Sequence, residues 1–150
     1  MAPKFSLQNV LDVRHGKVEL LQIEFSKLLA AQQETEMRLS SLREFQRNLL
    51  DQLKDAQSGE MDLSKISLLR LNIVQVNTYI ENVSLDLARL NRAVQEKKTE
   101  LINAKQSEET LEILKRKRHE VYLAEQVQIE SRAQDDIYIA QAFRNQQQGA

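Results

Sequence analysis

Apolar residues recur along this chain at alternating steps of three and four. The stripe runs Leu7, Leu11, Val18, Leu21, Phe25, Leu28, Leu39, Leu42, Leu49, Leu53. It stops at Gln57-Ser58-Gly59-Glu60 and resumes as Ile66, Leu69, Ile73, Val76, Ile80, Val83, Leu87, Leu90, Val94, Leu101. A seven-residue repeat with two apolar positions buries a seam between helices and leaves no concave pocket. The pattern predicts an all-α fold: a long antiparallel two-helix coiled-coil hairpin with a C-terminal helical overhang, one domain over 1–150. Its helices are expected at 6–57 and 62–143, its turn at 58–61, and a frayed end over 144–150.

The boundaries rest on a few residues. Pro3 precedes Phe5-Ser6-Leu7, and Ser6 is a suitable N-cap. Gly59 can take the left-handed conformation that ends a helix, and Asp62 can cap the next one. Gly16 costs about 1 kcal/mol against alanine inside a helix, so the first helix is expected to pass through it with a soft spot. A short turn makes the helices antiparallel. Its centre implies that facing residues have numbers totalling about 119, so that Leu53 meets Ile66 and Leu39 meets Ile80. Leu7 would face Leu111 or Glu112. The heptad of the second helix fails at the same place, where its positions become Glu108, Lys115, Arg118, Glu125, Arg132 and Asp136.

The second helix therefore outruns the first by roughly thirty residues, or roughly 45 Å, over about 113–143. That stretch holds Ile113, Leu114, Val121, Tyr122, Leu123, Val127, Ile129, Ile137, Tyr138, Ile139 and Phe143, spread over several faces. A lone helix draws little stability from propensity alone, and a disordered tail is poor in aromatic and branched residues. The stretch reads as a ligand for a larger receptor. A third helix face folded back within a dimer is the alternative.

Composition narrows the chemistry. The chain has 150 residues, one proline, three glycines, 5% aromatics, no tryptophan and no cysteine. A thin coiled coil needs few aromatics, since each core layer is small. Without cysteine there are no disulfides or thiolate metal sites. A net charge of −1 gives no global field toward nucleic acid or membrane. No apolar run reaches the ~20 residues of a membrane span, and residues 1–10 lack the basic start and apolar stretch of a signal peptide. A soluble cytoplasmic protein is expected, with no enzyme activity, cofactor, metal or small-molecule ligand. His15 and His119 lie far apart, and Gly16, Gly59 and Gly149 build no phosphate loop.

Three further features have competing readings. Arg14, Gln32, Thr35, Gln46 and Lys97 interrupt the seam, as register marks or as soft spots; Gln32 would face Leu87, and Gln46 would face Ile73. Phe45 and Tyr79 fall off the seam, as a binding patch or a widened core stripe. Lys115-Arg116-Lys117-Arg118-His119 reads first as a solvated, salt-bridged segment pointing all round the axis; a functional role would favour an acidic protein surface over DNA.

The chain ends carry a resemblance. Lys4-Phe5-Ser6-Leu7-Gln8-Asn9-Val10-Leu11-Asp12-Val13-Arg14, an F-x-L-x-x-V-L-x-x-R pattern, resembles the start of the FliJ family of flagellar type III export proteins. Leu111, Leu114, Tyr122 and Glu125, followed by Asp135-Asp136, are similar to its C-terminal stretch. The resemblance implies a central stalk and adaptor of a flagellar-type export apparatus, peripheral at the inner membrane. It implies that the terminal end enters the hexameric export ATPase and promotes its assembly and hydrolysis. Other implied partners are the export-gate membrane protein and export chaperones, with no nucleic acid and a monomeric free protein. Carried onto this chain, the ring contact is Leu114, Arg118, Tyr122, Ile129, Tyr138 and Phe143. The gate contact is Leu42, Phe45, Leu49, Val76, Tyr79 and Val83. The chain departs from the family at Leu49 and Val83; Leu42, Leu49, Val76 and Val83 also lie on the seam, so Phe45 and Tyr79 are the firmer gate positions. Injectisome stalk proteins share the architecture. The alternative function is a homodimeric coiled-coil scaffold or tether unrelated to an ATPase.

Overall fold

The computed structural model describes residues 2–149. Helix α1 spans Gln8–Gln57 and helix α2 spans Leu63–Gln148; they are the only regular elements among the described residues. Each helix is nearly free of breakers, because proline is confined to position 3 and Gly16 is tolerated within α1.

The turn follows its residues. Gly59 sits at φ 106°, a conformation open to glycine because it has no Cβ. Ser58 closes the end of α1 by donating both N–H and hydroxyl to the Asp55 carbonyl. Asp62 Oδ1 accepts the N–H of Ser64 at 3.0 Å and of Lys65 at 3.3 Å, which caps α2. The far ends differ from expectation. Ser6 does not cap α1. The chain makes a turn closed by Gln8 N–H to the Phe5 carbonyl, helix begins at Gln8, and the Ser6 hydroxyl accepts from Arg118 instead. Helix α2 continues past residue 143 to Gln148, since its glutamines are sound helix formers. Ala150 lies outside the described residues.

Packing groups the chain into two compact units, each drawing on both helices. The hairpin unit is Val18–Asn103. Its buried seam comprises Val18, Leu21, Leu39, Leu49, Ile66, Leu69, Val76, Val83, Val94 and Leu101. Near the turn, Leu49, Leu69 and Val76 form one cluster, with Leu53, Ala56, Ile73 and Ile80 packed on it. The terminal unit combines residues up to Lys17 with those from Ala104 onward, and buries Leu11, Ala104 and Leu111. No described polar side chain is buried, as befits a seam one side chain thick.

The register differs from the expected total of about 119. Gln32 Nε2 donates to Asn91 Oδ1, and Gln46 Nε2 to Asn77 Oδ1, both at 2.6 Å; each pair totals 123. Neither glutamine therefore marks the residue expected opposite it, Leu87 or Ile73. The reason is geometric. Helix ends at Gln57 and Leu63 put level backbones at a total of 120. Side chains, however, lean toward the N-terminus of their own helix, by about one residue. In an antiparallel pair the two lean opposite ways, so side chains that touch total about two more. Gln32 and Gln46 mark register in this way, whereas Thr35 turns back to the Ala31 carbonyl of its own helix. Gln32 and Gln46 lie fourteen apart, as do Asn77 and Asn91, so both pairs form in one alignment only.

Candidate functional site

Two surfaces hold the residues singled out from the sequence. The first is in the hairpin unit. Phe45 and Tyr79 keep 51% and 57% of their surface exposed. Leu42 is half-buried, whereas Leu49, Val76 and Val83 lie in the seam. A partner meeting this level finds the two rings first, and reaches the other three only by opening the helices.

The same unit contains Lys97, on the seam but snorkelling. Its Nζ donates to Glu24 Oε2 at 2.9 Å and to Glu100 Oε2 at 3.4 Å. The hydrogen bond to Glu24 raises the Lys97 pKa above the ordinary lysine value, against a lesser desolvation effect in the opposite direction. The pair spans both helices and adds a charged fastening to the two amide ones.

The second surface is in the terminal unit. Here Arg14 Nη1 donates to the Ser107 carbonyl at 2.8 Å, and His15 Nδ1 lies 2.6 Å from Glu108 Oε1. Beyond this level α1 has ended, and the non-helical residues before it continue the cover. Arg118 Nη1 donates to Ser6 Oγ at 2.8 Å, and its guanidinium carbon stands 5.3 Å from the centre of the Phe5 ring. The Tyr122 ring stacks against His119 at 6.4 Å. A cavity of about 210 Å³ is lined by Pro3, Lys4, Phe5, Ser6, Lys115, Arg118, His119 and Tyr122. The expectation of no concavity thus fails where a non-helical segment, which cannot interdigitate like a helix, meets α2.

This changes the proposed ring contact. Leu114 and Tyr122 are half-buried and Arg118 is engaged by Phe5 and Ser6, so the bare overhang begins after Tyr122 and not near residue 113. Ile129, Tyr138 and Phe143 are exposed, at 58%, 74% and 60%. At about 100° per residue, Leu123, Val127, Ile137 and Tyr138 share one face, and Val121, Ile129, Ile139 and Phe143 the opposite one. All eight are exposed. Sequence reasoning passed over Phe5 and Ser6 as contact residues. The available signal was an aromatic residue between a proline and a helix start, with no place on the seam.

The basic run is not salt-bridged. Among the described residues no ion pair joins a carboxylate to Lys115, Arg116, Lys117 or Arg118, although Glu112 and Glu120 stand three and four residues from them. Among the described residues there is also no cluster of three metal-ligating side chains, and no helix is long and apolar enough to cross a membrane.

Residues 3–148 match the family described as Flagellar FliJ protein. No curated protein and no solved structure gives a significant match.

Proposed function

The chain belongs to the FliJ family of flagellar export stalk proteins, and from that premise we propose that it is a non-enzymatic stalk and adaptor whose terminal unit enters the hexameric export ATPase. The observation that carries the reading is the pair of opposite apolar faces between Val121 and Phe143, all exposed. A helix apolar on more than one side requires partners around it. A ring lumen supplies them; one partner helix covers one face. The same observation weighs against the homodimeric tether, in which two overhangs would pair along a single stripe.

Inside the ring, Ile129, Tyr138 and Phe143 would make the apolar contacts, with Leu114, Arg118 and Tyr122 nearer the mouth. Phe45 and Tyr79 would meet the export gate, backed by Leu42, with Leu49, Val76 and Val83 holding the helices behind them. Export chaperones complete the partner set that family membership suggests. The site of action is then the cytoplasmic side of the inner membrane, at the export apparatus.

The test is hydrolysis by the purified export ATPase with added protein. The full chain is expected to raise the rate. The triple variant Ile129→Glu, Tyr138→Glu, Phe143→Glu alters exposed positions only, so it should fold normally and fail to stimulate. Equal stimulation by the variant would refute the ring reading. A light-scattering mass of two chains at working concentration would favour the tether.

A further inference from the structure

The basic run and the segment Pro3–Ser6 remain unexplained by two apolar faces further along α2. We propose that they form a binding site for an acidic protein segment, whose carboxylates seat among Lys4, Lys115, Arg118 and His119, against Phe5 and Tyr122.

Charge carries the argument first. The chain has 22 acidic and 21 basic residues, yet no carboxylate lines the 210 Å³ cavity. The more open hollow beside it, which adds Gln8 and Asn9 to the lining, has none either. Like charges spaced three and four apart on a helix repel; Lys115 and Arg118 have that spacing, and His119 offers ring N–H donors beside them. They share the face of buried Leu111 and half-buried Tyr122, so they converge where the seam would have continued. Arg116 and Lys117 point elsewhere. The cationic site is therefore one turn long.

Hydrogen-bonding capacity points the same way. Arg118 partners are a neutral hydroxyl and a neutral ring. A guanidinium offers five N–H donors in a planar fork suited to a carboxylate. One is spent on Ser6, and the fork remains open to a bidentate acceptor. Phe5 and Tyr122 wall the cavity with apolar surface, and a charge pair formed beside them is less screened than one in open water.

Size and layout favour a peptide over a nucleic acid. A duplex is held by cations spread along many phosphates; here a single turn converges on a space fit for one or two side chains. The inference goes beyond the ring reading, since it holds for any carrier of an acidic segment.

The test uses the full chain and a short fluorescein-labelled Glu–Tyr peptide, followed by anisotropy at low and physiological salt. Saturable, salt-sensitive binding is expected. Lys115→Glu with Arg118→Glu should weaken it by about tenfold or more. Arg118→Lys, which keeps charge and loses the fork, and Phe5→Ala should each weaken it several-fold, with unchanged circular dichroism. Lys54→Glu, in the hairpin unit, should have no effect. Equal affinity of the Lys115/Arg118 variant and the parent would overturn the proposal. So would an equal loss from Lys54→Glu, or displacement of the peptide by a duplex oligonucleotide at matched charge. Peptide binding that survives the Ile129/Tyr138/Phe143 substitutions separates this site from the apolar faces beyond Tyr122.

Discussion

The hairpin unit and the stretch of α2 beyond Tyr122 use similar amino acids to opposite ends. In the first, leucine, valine and isoleucine repeat at heptad spacing, and a second helix of the same chain covers them. In the second, the same residue types lose the heptad, appear on two opposite faces and stay exposed. Identical side chains are thus core in one region and unpartnered surface in the other. Spacing and the reach of α1 together decide which: a narrow partner covers only one stripe, and beyond Tyr122 α1 offers no cover.

The largest expected contrast is thermodynamic. Leu49, at the centre of the buried cluster near the turn, should cost about 2–4 kcal/mol when truncated to alanine. Ile137→Ala should stay within about 0.5 kcal/mol in the isolated protein. Urea titrations of both variants check this. A cost at Ile137 equal to that at Leu49 would mean the overhang is covered in the free protein, and would erase the distinction between the regions.

A smaller effect sharpens what aligns the hairpin. Truncating Gln46 and Asn77 singly and together should give a coupling of about 0.5–1.5 kcal/mol. Replacing both by leucine should raise the melting temperature while broadening spin-label distances across the helices, since the amide pairs specify alignment and apolar residues tolerate several. A narrow distance distribution in the double-leucine variant would assign register to the apolar layers alone.

Gly16 tests the terminal unit without touching packing. It is helical, and a Cβ placed there meets nothing within 4 Å. Gly16→Ala should therefore stabilise by about 0.5–1 kcal/mol. Loss of stability would mean that the soft spot is needed by the fold.

The smallest effect is the charged fastening at Lys97. Its pKa is raised in the folded state by Glu24, so its contribution is fully present below the ordinary lysine value of about 10.4 and is lost as pH rises through the folded one. Glu24→Gln should lower the melting temperature slightly at pH 8, and the difference should fade in strong alkali. A difference that grows with alkali would reverse the assignment.

Much of this was legible in the residues. Gly59 and Asp62 announced the turn, because positive φ and a side-chain oxygen at a helix start belong to few residue types. The two stripes announced which faces meet. The interruptions at Gln32 and Gln46 were visible, but their partners were not: counting from the turn measures backbone level, and side-chain lean adds to it. Phe45 and Tyr79 were rightly set apart from the seam for the same reason that Leu49, Val76 and Val83 were assigned to it. The reach of the overhang was overestimated, because a pattern-based reading gives no weight to a few non-helical residues.

The amino-acid order by itself determined two helices, their antiparallel course and the level at which apolar pairing gives out, since all three follow from local conformational preference and period. Only the tertiary structure decided that Asn77 and Asn91 receive the glutamine amides, and that Phe5 and Ser6 hold Arg118. Those contacts join residues 31 to 113 positions apart. Such pairs depend on side-chain direction and on the path of a non-helical segment, and neither has a period to be read.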